Sequence, residues 1–310
     1  LRDFIFGFQV TTIFVYFLLT YSLLKNLRPN RIFLLAIFSP IFLLYPVAEI
    51  EVLARKEVFI FIILITYILI PIYKKFEKDC FTLVFLFIGI LIWEPLIFFM
   101  PFWFAIDLIQ NKIEKVNFIF IKKIFIYLPS LLLAFYIAFN PITADQHQKM
   151  ADILQYEFNE RCYMSCELLL HKAGLYQQFQ AQFGKYSAEV LIRYFLIYLI
   201  GFGPLIILLR NSKLKDKIIF FKNFNNIFFP FLIIISPVIV LHSMGYDWGR
   251  WVNIAYVFSL MSYIFLYKNN FLIVNEKSIK NNFISKIKRG YFIFLFIIFC
   301  FGWNPKTVIT

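Results

Sequence analysis

The chain has 310 residues, 61% of them hydrophobic and 43 of them phenylalanine, and a formal net charge of +13. At a mean hydropathy of +0.76 it carries more apolar surface than a water-soluble domain of this length can hide, and lipid favours helices, which pair their own backbone groups. The polar–apolar alternation of a membrane β-barrel is absent, and the positive charge reads as a topological signal, not as a nucleic-acid footprint.

The expected fold is all-α: one polytopic integral membrane domain, 1–310, with about ten transmembrane segments and one large extracytoplasmic loop. The segments fall at 4–24, 33–47, 58–73, 80–92, 95–109, 124–139, 189–209, 223–241, 251–267 and 290–303. The sequence begins at Leu1, not Met, which leaves room for an upstream segment, and no cleavable signal peptide is evident.

The first polar insert is "AEIEVLARKEV", 48–58, with Glu49, Glu51, Arg55, Lys56 and Glu57. In a helix Glu51 and Arg55 share a face, acid before base. One reading is a set of interfacial ion pairs capping two spans. The other is an anion site, because the planar fork of arginine matches phosphate and carboxylates can orient it.

The next stretch, 81–109, is long for one span and short for two at roughly 1.5 Å per residue. Trp93-Glu94-Pro95 interrupts it, and proline disfavours a helical residue before it. Charge arbitrates. If 81–109 is a hairpin, loops 25–32, 74–79, 110–123, 210–222 and 268–289 share one face and hold 21 lysines and arginines, against 9 on the other. A single crossing would divide them 12 to 18. The positive-inside bias selects the hairpin, and 12 of the 18 acidic residues then lie on the outer face. Glu94 at the hairpin tip reaches headgroup water, or pairs with Arg55, Arg193 or Arg250, or accepts a proton.

The loop 140–188 reads as two or three short amphipathic helices rich in Gln and Tyr. That composition suits sugar hydroxyls and equally suits a lid on the bilayer. Cys162 and Cys166 lie on an oxidising face where a disulfide is possible, although an i,i+4 bridge within one straight helix has poor geometry. No Cys/His spacing suggests zinc, and neither metal nor cofactor is expected.

The last insert is "HSMGYDWGRW", 242–251. Gly245 and Gly249 permit a tight turn or a close approach. Asp247 and Arg250, three apart, face one way at the start of the next helix, where Asp247 is either a cap or part of a site. His242 is an interfacial histidine or a ligand-binding one, and Trp248 and Trp251 are natural interface anchors. The basic loops contain no P-loop, GxGxxG or DxD motif.

ARKE (54–57) after a proline-ended span, and DWGRW (247–251) opening a later one, resemble motifs of bacterial envelope polysaccharide membrane proteins of the O-antigen and capsule polymerase (Wzy-like) type. The resemblance implies an inner-membrane glycosyltransferase or polymerase acting at the periplasmic face. Its partners would be a polyprenyl-diphosphate-linked glycan donor, a glycan acceptor and membrane lipid, with no nucleic acid. By position the donor would be bound by Arg55 and Arg250, with Lys56, Arg193 and His242 beside them. Glu94, Glu57 and Asp247 are the carboxylates available to take the acceptor's proton. Other readings are a polyprenyl-phosphate-dependent glycosyltransferase using Glu49 and Glu51, a transporter, or a membrane scaffold. A transporter would place charges at mid-span in broken helices, whereas the charges here fall at span ends.

Overall fold

The computed structural model describes residues 2–45, 55–140, 142–162, 166, 180, 186–245 and 247–303. The chain opens with α1 (Arg2–Leu24) and α2 (Arg31–Ile37), followed by α3 (Glu57–Leu69) and α4 (Lys75–Ile92). A 3-10 stretch (Glu94–Phe99) leads into α5 (Met100–Gln110), then α6 (Phe118–Phe139) and α7 (Ala144–Phe158). Next come α8 (Ala188–Gly201), α9 (Gly203–Arg210), strand β1 (Ser212–Leu214), α10 (Phe228–Ile235) and α11 (Val238–Met244). The chain closes with α12 (Trp248–Lys268), strand β2 (Leu272–Val274), α13 (Glu276–Asn281), α14 (Phe283–Lys286) and α15 (Arg289–Phe301).

Among the described residues two helices, Asp3–Leu24 and Phe118–Phe139, are long and apolar enough to cross a membrane. The pair α8–α9, bent by 51°, makes a third if it is one span. Glu57–Leu69, Phe228–Met244 and Arg289–Phe301 are apolar but shorter. Phenylalanines 4, 6 and 14 on α1, and 118, 125 and 139 on α6, are exposed, as lipid-facing side chains would be.

Helix α12 is the core. It is apolar on every side, and a helix without a polar face has to be surrounded by others. From Trp248 through Leu266 it is buried but for the half-buried Arg250. Two of its polar groups serve the end of α2: Asn253 donates to the Ile41 carbonyl at 3.0 Å and Tyr256 to that of Ala36 at 2.9 Å. Buried carbonyls at a helix end need such donors.

The 81–109 stretch is broken and doubles back. α4 stops at Trp93, whose backbone is extended (φ −156°, ψ 98°) before Pro95. The Lys78 amine, near the start of α4, donates to Gln110 Oε1 at the end of α5 at 3.0 Å. A continuous helix would hold those two residues about 48 Å apart.

The five lysine-rich loops meet at one end of the bundle. Lys268 donates to the Leu23 carbonyl at 2.7 Å, and Arg31 to that of Ser285 at 3.2 Å. Lys112 pairs with Asp216 at 3.2 Å, the Ile219 amide donates to the Ile113 carbonyl at 2.8 Å, and that of Asn275 to Asn211 at 2.8 Å. The chain is not purely helical there. β1 and β2 form an antiparallel ladder, Ser212 opposite Val274 and Leu214 opposite Leu272, because the loops after α9 and α12 still have backbone groups to pair.

Candidate functional site

The opposite end of α3, α4 and α12 gathers the three polar inserts. Arg250, on the first turn of α12, is gripped by two carboxylates. Its Nη1 donates to Asp247 Oδ2 at 2.5 Å, and its Nη2 makes an ion pair with Glu57, the first residue of α3. Glu57 is buried and Arg250 nearly so, and the Arg250 Nε is a buried donor without an acceptor among the described residues. Asp247 stands at the N-cap position of α12, but its side chain makes no capping bond to the helix. Of the two readings the sequence left open for Asp247, the cap is not formed, and the carboxylate instead holds the arginine fork, a charge-assisted partner.

Arg55 and Lys56 complete the cluster. Both act electrostatically on Asp247, Arg55 acts on Arg250, and Lys56 also on Glu94. Burial pushes the Asp247 carboxyl above its usual range, though Arg55 and Lys56 pull it down. Desolvation lowers the Lys56 amine, while Glu94 and Asp247 raise it. Lys56 is exposed, as is Glu94 at the hairpin tip. Six predicted residues, Arg55, Lys56, Glu57, Glu94, Asp247 and Arg250, thus share one site with three charges of each sign. Glu49 and Glu51 lie outside the described residues.

His242 stands beside this cluster in an aromatic nest. Its ring meets those of Trp248 at 5.2 Å and Trp251 at 5.9 Å, and the Tyr198 hydroxyl lies 3.3 Å from its Nε2. Its Nδ1 faces the Val238 carbonyl at 3.0 Å. Trp248 and Trp251 are both buried, so they are not the interface anchors expected of them. Trp248 Nε1 donates to the His242 carbonyl at 2.7 Å, and a Cβ on Gly245 would come within 2.7 Å of the Trp251 ring. Gly245 is thus the close approach that the sequence anticipated. Arg193 is half-buried on α8. Below His242 runs a cavity of about 390 Å³, walled by Phe195, Phe202, Phe228, Phe231 and Leu232, with Ser259 on its floor.

A second charged group was missed by the sequence. Asp107, on α5, is 1% exposed. It accepts from the Tyr67 hydroxyl at 2.7 Å, the Tyr127 hydroxyl at 2.8 Å and Lys123 Nζ at 3.0 Å, and from Gln110. Lys123, 3% exposed, also pairs with Asp79, which holds Lys122 at 2.8 Å. Lys78 is fully buried, bonded to Gln110 and seated 4.6 Å from the Tyr67 ring and 5.0 Å from that of Phe265. One signal could have found this network: the lone aspartate in "FWFAIDLI", since an ionisable residue in an apolar run seeks a buried partner. Lys78, Lys122 and Lys123 read instead as solvated loop charges.

In the long loop, α7 opens with a Thr143/Gln146 capping box and ends at Asn159 in the left-handed region, φ 52°. The other helices expected between 140 and 188 lie outside the described residues. Cys162 and Cys166 are bridged, their Cα atoms 5.3 Å apart. Cys162 follows the end of α7 and is not helical, which removes the straight-helix objection. His147 Nε2 sits 3.5 Å from Cys162 Sγ. The three would make a metal-ligand group by distance, but the bridge occupies both sulfurs as long as it stands. No family model, curated protein or solved structure matches this chain.

Proposed function

We propose that this chain assembles envelope polysaccharide at the periplasmic face of a bacterial inner membrane. It would transfer or polymerise a glycan carried on polyprenyl diphosphate. The observation that carries the reading is the convergence of 55–57, 94 and 247–250, inserts far apart in sequence, on one doubly held guanidinium. The ten-segment threading accords with it: the five loops richest in lysine and arginine collect at the other end, which the positive-inside rule assigns to the cytoplasm.

The chemistry follows from the charges. An acceptor hydroxyl attacks the anomeric carbon, the bond from that carbon to the diphosphate oxygen breaks, and negative charge grows on the departing phosphate. Lys56 and Arg55 supply cations there, while Glu57 and Asp247 hold Arg250 in a fixed orientation. Groups oriented in advance stabilise such charge without reorganising. The hydroxyl proton goes to Glu94, the exposed carboxylate, or to Asp247, whose raised pKa brings it nearer to the working pH of a general base. The apolar cavity below His242 offers a berth for part of the prenyl chain. The test is Arg55→Lys and Arg250→Lys at normal membrane levels, with glycan chain length as the readout. Lysine keeps the charge and loses the paired donors, so shortened chains are expected, and wild-type lengths for both variants would refute the site.

A transporter reading draws on a separate observation, the buried Asp107–Lys123 pair and the bent α8–α9 helices. Proton-coupled solute uptake by reconstituted vesicles, abolished by Asp107→Asn, would favour it over glycan transfer.

A further inference from the structure

At the lysine-rich end, far from the cluster around Arg250, a cavity of about 460 Å³ opens between the α1–α2 connection, the end of α12 and the α13–α14 segment. Its charged lining is Arg28, Arg31, Lys280 and Glu276, and its walls include Tyr263, Tyr267, Phe33, Leu34 and Leu208. Glu276 is the sole acid of that lining and is engaged by Lys280 at 3.5 Å. Arg31 is held over the Phe292 ring at 5.0 Å and donates to the carbonyls of Ser285 and Ile287. Those acceptors are neutral, so its charge stays uncompensated. Arg28 makes no hydrogen bond or ion pair among the described residues and is exposed toward the cavity. Two arginine charges therefore border one opening in which, among the described residues, the one carboxylate is taken by Lys280. Beside them Tyr263 and Tyr267, both in the lining, stack at 6.3 Å, 11° from parallel.

A ligand that fits must bring negative charge for the two guanidinium groups and apolar substance for the floor. Arginine prefers the oxygens of phosphate, which accept two parallel N–H bonds. Basic pockets between helices near a membrane surface take up anionic headgroups on these grounds. We propose that this cavity binds a phosphate ester, and that its source is the headgroup of an anionic membrane phospholipid. Bound there, the lipid joins the α1–α2 connection to the ends of α12 and α13, so it acts as a staple at the end of the bundle remote from the candidate catalytic cluster. The inference stands whether or not the glycan-transfer reading does.

The experiment uses the full chain in detergent micelles and follows thermal unfolding while dioleoylphosphatidylglycerol, dioleoylphosphatidylcholine or inorganic phosphate is titrated in. Arg28→Gln removes one guanidinium that has no described partner to lose, and Lys75→Gln, an exposed lysine of the same end outside the cavity, is the control. Phosphatidylglycerol is expected to raise the melting temperature of the wild type and of Lys75→Gln alike. Arg28→Gln should need about fivefold more of it for the same shift, the effect of one basic residue at a charged surface. An equal response of all three proteins would overturn the site, as would equal protection by phosphatidylcholine. Protection by inorganic phosphate that vanishes in Arg28→Gln, with no lipid effect, would keep the phosphate site and overturn its lipid source.

Discussion

The two charged groups at opposite ends of α3 and α12 are built on opposite plans. Around Asp107 both carboxylate oxygens are occupied, by two tyrosines and a lysine, with Gln110 bridging to Lys78. Around Arg250 the guanidinium is held by two carboxylates, but Lys56 and Glu94 remain exposed and, among the described residues, Arg250 Nε has no acceptor. A saturated network fixes how helices pack, whereas an unsaturated one at a surface has capacity left for a substrate. The same residue types therefore serve architecture at one end and, on our reading, chemistry at the other.

The largest effect should come from breaking the saturated end. Asp107→Ala leaves Lys123 buried with only Asp79 and strips two tyrosine hydroxyls of their acceptor. Stability should fall by about 3–5 kcal/mol, the usual result of removing one partner from a buried ion pair, seen as loss of folded protein in detergent melts. A drop as small as that of a surface pair would erase the distinction between the two ends. A smaller and more discriminating effect concerns Lys78, which precedes the apolar run 80–92. Burial lowers its pKa to about 8, from the ordinary lysine value of 10.5. Between those values the unfolded chain holds a proton that the folded chain has released, so stability gains with rising pH. Relative to Lys78→Met, the wild type should therefore become more stable from about pH 8 to pH 10.5, and a pH-independent difference would show that Lys78 keeps an ordinary pKa. The smallest effect is expected at the rim of the network. Lys122, 51% exposed, pairs with Asp79, and Lys122→Gln should cost no more than about 0–1 kcal/mol, measured in the same melts. A cost like that of Asp107→Ala would extend the saturated core to its surface.

What was legible in the sequence follows from which interactions are local. Asp247 and Arg250 meet because they are three apart on one helix turn, and Glu57 could be placed near them only through the threading. That threading came from charge: 21 basic residues in five loops required the chain to turn back at Trp93-Glu94-Pro95, and the Lys78–Gln110 bond shows that it does. The Asp107 network was not legible, because its partners beyond its own helix lie 16 to 40 residues away in sequence and a lysine near a loop looks solvated until a neighbouring helix covers it. The tryptophans misled for the reverse reason. Their type suits a membrane surface, but Gly245 lets Trp251 pack inward, where the sequence alone gives no sign of the space. The Cys162–Cys166 bridge turned on where α7 ends, and helix ends are poorly fixed by sequence pattern.

The short helices have an electrical consequence. Glu57 and Tyr67 mark the two charged groups on α3, ten residues and about 15 Å apart, and Arg250 and Phe265 mark them on α12, about 22 Å apart. A bilayer's hydrocarbon is about 30 Å thick. Set in an energised membrane, a charge moved between the two groups would therefore cross only part of the voltage. Each elementary charge moved from one group to the other would then exchange less than about 2.3 kcal/mol per 100 mV with the membrane, so a redistribution of charge between the two ends would couple to the membrane potential.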